Sequence, residues 1–461
     1  MLKEIPENRS FLFVIIITFI CLIMSYVNYI YPTVIYSFLA ILCLFVFLSY
    51  IAVDTPEVIL PLLPFIFIRV TELVSGLLIE SGGYLTETDI LGQVTASFCR
   101  LVIYYVLFYF SVERGYFFIK KIKGDIKNEY ADVSLAKIFI FTSLIFVVFV
   151  LLIGLISGFK DGFAFLLGIS RFAFRDNSTR SLLSVFLNNR TLAVLLVSIL
   201  YSCASASILK KISLFLFVSI IFISILHGEQ FASMIMLLLT FSYPILLLES
   251  KLNKLVINKI FKYGCISLLL SSLAVLMIYS NLGIDLEEFV EKRLLLQGQQ
   301  WYMVDTDEEI GIFSAHLDSF IRNLPSFFYL NIYGFIDQLV PYGMRELMYV
   351  YATPNIYNAY IDNFVTFTMG QMAMLLYWFG YLGMLPWVVL TGVLFSAVIF
   401  YLNRAIFNKD LISIILASKL FSWYVFGLQQ GEYWYLWGAK TILFVLVIYL
   451  FEKNRKVRFS F

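Results

Sequence analysis

The chain has 461 residues, of which 61% are hydrophobic, 18% aromatic and only 14% charged. Soluble domains are about 45–50% apolar even with glycine counted, and about 25% charged. Together with a mean hydropathy of +0.89, this balance excludes a soluble enzyme, a disordered tail, a coiled coil and a nucleic-acid-binding domain. It leaves an all-α polytopic membrane protein, and the formal net charge of +2 gains meaning only when split between the two sides of a membrane.

Met1-Leu2-Lys3-Glu4 lacks a basic start followed by a small-residue cleavage site, so the first apolar run is expected to be a retained anchor. Runs long enough to span a bilayer begin near residues 11, 34, 57, 94, 136, 191, 213, 231, 263, 371, 411 and 435, which predicts about 12 helices. All five cysteines fall in apolar stretches, so no disulfide framework or thiol metal site is expected. The run at 57–80 carries Pro61, Pro64, Arg69 and Glu72. The run at 371–401 is interrupted by Gly380, Gly383 and Pro386, the pattern of a kinked or re-entrant helix.

Lys and Arg orient the spans. With both termini cytoplasmic, inner segments hold 20 of the 33 basic residues, outer segments nine, and Arg69, Arg100, Lys419 and Lys440 sit within apolar runs, in agreement with the positive-inside rule. Charges within spans must be paired or face a polar cavity, and Arg69 and Glu72, three apart on a helix, can pair with each other. The whole chain, 1–461, reads as one transmembrane domain with a smaller outer loop at 158–190 and a much larger one at 282–370. A connection that long is far outside ordinary helix–helix loops and points to function. Its apolar patches at Leu317/Phe320/Ile321/Leu324 and Phe327/Phe328/Leu330 suggest short helices at the membrane interface.

Basic residue type switches across the membrane. Inner segments contain 15 Lys and five Arg; outer segments contain Lys160 and Lys292 but Arg171, Arg175, Arg180, Arg190, Arg293, Arg322 and Arg345. A planar guanidinium suits bidentate recognition of phosphate or carboxylate, whereas interfacial arginines also snorkel to lipid headgroups. Arg171 and Arg175 share a face if their segment is helical. So do Arg293, Gln297 and Gln300/Trp301, a cationic, amide-rich and aromatic face suited to a phosphate joined to a sugar, or to an amphipathic helix at the interface.

The two histidines, His227 and His316, both fall on the outer side. His316 could accept a proton from an attacking hydroxyl, and Glu229, in the turn after His227, is an alternative base or an orienter of hydroxyls. Structural roles remain open for all three. Asp305-Thr-Asp307 looks like a metal-holding Asp-x-Asp, but it lies in an acidic run without a supporting histidine and is read as a solvated loop, with no metal expected. No phosphate-binding loop, dinucleotide fingerprint, Gly-x-Ser-x-Gly or His-Glu-x-x-His occurs.

In topology, the chain resembles the bacterial O-antigen polymerases of the lipid-linked flippase/polymerase pathway. The resemblance is carried by Arg293–Trp301, by Gly343-Met-Arg-Glu-Leu-Met-Tyr349, and by Phe367-Thr-Met-Gly370 leading to Tyr377, Gly380 and Gly383. The turn at Gly228 is similar too, although Gln230 stands where members of the family often have a basic residue. The resemblance implies a multi-pass protein of the bacterial inner membrane whose active site faces the periplasm. It also implies a glycosyltransferase that joins undecaprenyl-pyrophosphate-linked repeat units with inversion, without nucleotide, cofactor or essential metal, beside a chain-length regulator protein. On this expectation Arg171, Arg175, Arg293 and Arg345, with Arg322, Gln297 and Trp301, hold pyrophosphate and glycan, and His316 or Glu229 serves the acceptor. A lipid-linked oligosaccharide flippase would instead line a central cavity with charge and keep its loops short. An O-antigen ligase would share the architecture and transfer to the lipid A core.

Overall fold

The computed structural model describes residues 7–123, 133–167, 174, 180–204, 207–229, 231–248, 286–313, 316–328, 343–362, 367 and 369–458. In chain order the helices are α1 (Glu7–Ile30), α2 (Ile35–Asp54), α3 (Pro56–Glu80), α4 (Ser97–Lys123), α5 (Val133–Asp161), α6 (Ala164–Leu167), α7 (Arg180–Cys203), α8 (Ser207–Leu226) and α9 (Phe231–Leu248). The long segment between the ninth and tenth expected spans, 282–370, holds α10 (Leu286–Asp305), α11 (Leu317–Phe328), α12 (Met344–Tyr351) and α13 (Pro354–Asp362). The chain closes with α14 (Gly370–Gly383), α15 (Leu385–Asn408), α16 (Leu411–Gln430), α17 (Trp434–Trp437) and α18 (Ala439–Arg458). A two-stranded hairpin, β1 (Tyr84–Leu85) with β2 (Ile90–Leu91), joins α3 to α4.

Among the described residues, ten helices are long and apolar enough to cross a membrane, with Ser233–Leu248 a shorter apolar helix beside them. The fold is therefore all-α and polytopic. The run expected near 263 lies outside the described residues. The run at 371–401 is not one span: α14 is a buried half-helix, and α15 alone crosses. The sixth span starts earlier than its hydropathy suggests, because α7 begins at Arg180, so the smaller outer loop is shorter than 158–190.

Two apolar cores organise the bundle. One joins α1–α4 to α10, α12 and α14–α16; the other gathers α5, α7, α8 and α9 against the ends of α15 and α16 around Leu402, Ile406, Ile414 and Ala417. Lipid is as apolar as leucine, so helices in a membrane associate through close packing and hydrogen bonds rather than through hydrophobic exclusion. The contact of α4 with α15 shows how. A Cβ on Gly115 would lie 2.3 Å from Ser396 Oγ, and one on Gly392 would lie 2.9 Å from the Phe108 carbonyl, so both glycines let the backbones meet. Local signals end the helices as expected: the Asp410 carboxylate caps α16 by accepting from Ser413 N at 3.2 Å, and Gly431 stops it with φ 69°.

The central α3 keeps its helix through Pro61 and Pro64, both buried. Arg69 and Glu72 pair with each other at 2.8 Å, with side chains 2% and 1% exposed. Arg69 Nη2 also donates to the Leu428 carbonyl at 2.9 Å, and its guanidinium lies over the Phe65 and Tyr105 rings. The Tyr105 hydroxyl donates to the Glu72 carboxylate. Lys419 and Lys440 each sit over the Trp423 ring, at 5.6 and 5.0 Å.

Candidate functional site

The outer segment is fastened to the bundle by α10. Gly298 on α10 lets that helix press against α3: its N–H donates to Ser75 Oγ at 2.7 Å, and Ser75 Oγ donates onward to the Leu295 carbonyl at 2.9 Å. The hairpin between α3 and α4 clasps the other side. Gln299 Nε2 and the Tyr360 hydroxyl both donate to the Glu87 carboxylate, and Gln93 N–H donates to the Tyr302 hydroxyl at 2.8 Å. Nothing in the sequence marked residues 84–93 for this role, because the hairpin acquires its partners more than 200 positions later.

Arg100 on α4 donates from Nε to Asp305 Oδ1 at 2.8 Å, and the Asp305 side chain is fully buried. Asp307 accepts from the Tyr351 hydroxyl at 2.6 Å. The Asp305-Thr-Asp307 stretch is thus not the solvated loop expected: one carboxylate neutralises an intramembrane arginine, and the other ties α12 down. Burial and the Asp307 carboxylate both push the Tyr351 hydroxyl well above its usual range, so it stays a donor. Among the described residues no group of three or more His, Cys, Asp or Glu side chains could hold a metal ion.

The chain after α10 then runs against a break at Gly380, within α14. Gly380 has φ 70° and ψ −179°, a region essentially confined to glycine. A Cβ there would lie 2.4 Å from the Gly311 carbonyl. That break frees the N–H groups of Tyr381 and Leu382, which donate to the Gly311 and Ile312 carbonyls at 3.2 and 2.8 Å. His316 follows directly. Its N–H donates to the Tyr377 carbonyl at 2.9 Å, and its ring stacks on Tyr377 with centroids 4.1 Å apart. Nε2 is buried without a hydrogen-bond partner, 4.0 Å from Glu309 Oε2.

Next to it, α11 and α12 meet over α14. Arg322 Nη2 lies 3.2 Å from Glu346 Oε1 and 3.3 Å from Asp318 Oδ2. Ser319 Oγ donates to the other Glu346 oxygen and receives Trp378 Nε1 at 3.1 Å. The Arg322 side chain is 58% exposed. Arg345, the next residue after Met344 on α12, acts electrostatically on Glu432 in the loop after α16, and Gly343 at the start of α12 packs against the Trp434 ring.

Of the residues singled out from sequence, His316, Arg322 and Arg345 therefore converge on α11, α12 and the broken helix. Trp301 does not serve as an open stacking platform. It is fully buried, with Nε1 donating to the Ser97 carbonyl at 2.9 Å and its ring against Tyr104, because the face of α10 that carries it turns inward onto α4. Gln297 is half-buried on the same helix. Glu229 lies in the other core, where Arg190 pairs with it at 2.8 Å and also donates to Ser233 Oγ at 2.6 Å. His227 is packed there too, among Phe163, Phe174 and Phe186, with Nε2 2.9 Å from the Gly154 carbonyl. Burial lowers its pKa, against the pull of that carbonyl. Arg171 and Arg175 lie outside the described residues, as does the side chain of Arg293.

Fold and site together define a multi-pass membrane protein with a polar, cation-bearing face built on a broken helix. A family of unknown function (DUF6418) matches residues 338–445, a stretch that takes in α12, the break at Gly380 and Glu432. No curated protein and no solved structure matches the chain.

Proposed function

We propose that this protein is an O-antigen polymerase, a glycosyltransferase of the bacterial inner membrane that joins undecaprenyl-pyrophosphate-linked repeat units at the periplasmic face. The observation that carries the reading is the placement of Arg322 and Arg345 around one short helix, α12, over the broken helix α14/α15. The positive-inside rule assigns this end of the bundle to the outer side, where lipid-linked glycans are presented and nucleotide sugars are absent. The length of the segment between α9 and α14, with α10 tied down by Arg100–Asp305 and Gln299–Glu87, favours an enzyme over a flippase with short loops.

In the proposed reaction a hydroxyl of one lipid-linked unit attacks the anomeric carbon at the reducing end of the growing glycan. A new carbon–oxygen bond forms as the bond to the pyrophosphate oxygen breaks, and undecaprenyl pyrophosphate leaves with the electron pair. Positioned cations stabilise charge as it develops on that leaving group. Arg322 and Arg345 serve this role, with Arg171, Arg175 and Arg293 as further pyrophosphate ligands and Gln297 toward the glycan. His316, stacked on Tyr377 beside Glu309, orients the acceptor, and Glu229 supports the fold around Arg190. The chain-length regulator would be a separate membrane partner.

The test is direct: purified full-length protein with lipid-linked repeat units extracted from the source cells, in detergent, without nucleotide or added metal, read as a ladder on a gel. A ladder is expected. Its absence with a matched repeat unit would transfer weight to the ligase or flippase, which a knockout separates: polymerase loss leaves one repeat on the core, ligase loss leaves polymer stranded on lipid, and flippase loss strands units inside.

A further inference from the structure

Glu432 carries no sequence motif, yet its backbone is held by both of its chain neighbours and its carboxylate is not. Its backbone is pinned on all sides. Gly431 before it caps α16 against the Gly370 carbonyl, its own N–H donates to the Gly427 carbonyl at 2.9 Å, and its carbonyl receives Tyr435 N–H at 3.1 Å. Tyr433 after it donates to the Gln371 carbonyl at 2.6 Å, and the Trp434 ring abuts Gly343 at the start of α12. The carboxylate itself is half-buried and takes no hydrogen bond from any described residue.

The start of α12, two residues before Arg345, packs on this loop through Gly343 and Trp434. Arg345 and Glu432 act on each other electrostatically but stand beyond ion-pair contact, and the Arg345 guanidinium also makes no hydrogen bond with a described residue. A cation and an anion held apart on rigid supports leave lone pairs on one side and donors on the other free for a third group. Two other carboxylates lack this freedom: Glu229 is committed to Arg190, and Glu346 to Arg322 and Ser319. His316 Nε2 has Glu309 Oε2 4.0 Å away, which suits it to orienting the acceptor rather than to taking its proton.

We infer that Glu432 is the general base of the transfer, and that the gap between it and Arg345 is where the attacking hydroxyl meets the anomeric carbon. The inference rests on the polymerase reading. In the step, the hydroxyl proton passes to a Glu432 oxygen while the hydroxyl oxygen forms its bond to carbon, and the departing pyrophosphate is met by Arg345. Burial pushes the Glu432 carboxyl up to about 7, with Arg345 pulling the other way. A base serves best with its pKa near the working pH, and this one is ionised above that value and lost below it. Among the described residues Arg345 is the charged group that acts on it; the residues that follow it, Tyr433, Trp434, Tyr435 and Leu436, are neutral near pH 7.

The experiment measures initial rates of ladder formation from extracted lipid-linked repeat units, over pH 5.5–8.5, for the wild type, Glu432→Gln and Glu432→Asp. The wild-type rate should rise with pH through about 7. Glu432→Gln should lose about 100-fold or more in kcat with KM and melting temperature unchanged, and its residual rate should lack the rise. Glu432→Asp should retain part of the rate with the rise displaced. Should Glu432→Gln fail to fold, the aspartate variant decides alone, and an undisplaced rise at full rate overturns the inference. A glutamine variant with wild-type kcat and an intact rise overturns it while leaving the polymerase reading in place. A wild type that forms no ladder overturns both.

Discussion

Arg100 on α4 and Asp305 at the end of α10, 205 positions apart, form an ion pair that joins the membrane bundle to its outer segment. Arg100 Nη1 also reaches Ser25 Oγ on α1 at 3.2 Å, and the Tyr381 hydroxyl donates to the Asp305 carbonyl at 3.0 Å. One arginine inside an apolar run thereby connects the first helix, the outer segment and the broken helix. A lone charge at that depth is costly, so the pairing explains how the chain carries it.

Removing one partner should therefore do more damage than removing both. Asp305→Asn leaves Arg100 without its counter-charge, and breaking a buried pair costs roughly 3–5 kcal/mol. The Arg100 side chain is 26% exposed, so solvent screening lowers the expected loss to the bottom of that range or below. Arg100→Gln/Asp305→Asn should recover part of it. Thermal unfolding of the purified protein in detergent measures all three. Equal melting temperatures for wild type and Asp305→Asn would show that the pair does not hold the outer segment.

Gly380→Ala should separate the broken helix from an ordinary kink. The substitution forces a side chain into a φ of 70° and places its Cβ 2.4 Å from the Gly311 carbonyl. Backbone strain of this kind costs about 1–3 kcal/mol, and the clash adds to it by pushing out the chain that leads to His316. Gly383→Ala meets Phe379 Cβ at 3.2 Å and the Phe313 carbonyl at 3.6 Å, with no positive φ, and serves as the control. The expected order of melting temperature and of ladder-forming activity is wild type, then Gly383→Ala, then Gly380→Ala well below both. A Gly380→Ala protein equal to Gly383→Ala would mean that the break is not needed.

Much of this architecture was legible from local signals. Hydropathy located the spans, Gly380, Gly383 and Pro386 marked the break, and Arg69 with Glu72 at a separation of three announced their own pairing. What was not legible depends on distant contacts. Asp305 looked solvated because its acidic neighbours are adjacent in sequence while Arg100 is not. Trp301 looked like a platform because the face of α10 that carries it could be assigned to either core or solvent until α4 was in place. Glu432 gave no signal at all, since its burial and its view of Arg345 arise only when the loop after α16 packs against α12.

Trp301 yields a test that distinguishes a core position from a sugar platform. Its indole is fully buried and donates to the Ser97 carbonyl. Trp301→Ala should cost about 3–5 kcal/mol from the cavity, and Trp301→Phe less, including roughly 1 kcal/mol for the lost hydrogen bond. For Trp301→Phe the melting temperature should fall while KM for the lipid-linked unit stays put. A raised KM at an unchanged melting temperature would instead place the ring on the glycan.

The arginines around α12 are best tested in cells, where the lipopolysaccharide profile reports chain growth directly. Hydrogen bonds to charged groups contribute about 1.5–3 kcal/mol each, so losing one pyrophosphate contact should slow transfer about 10- to 150-fold. Arg322→Ala alone should shorten the chains, since Arg345 remains. Arg322→Ala/Arg345→Ala should leave a single repeat on the core with the protein still present in the membrane. Arg345→Lys keeps the charge but loses the planar fork and should give intermediate chain lengths. Glu346→Gln removes the carboxylate charge that holds Arg322 and Ser319, leaving the guanidinium charged and paired with Asp318 alone, so its chains should be shorter than wild type yet longer than those of Arg322→Ala. Normal long chains from the double alanine variant would remove pyrophosphate binding from this face.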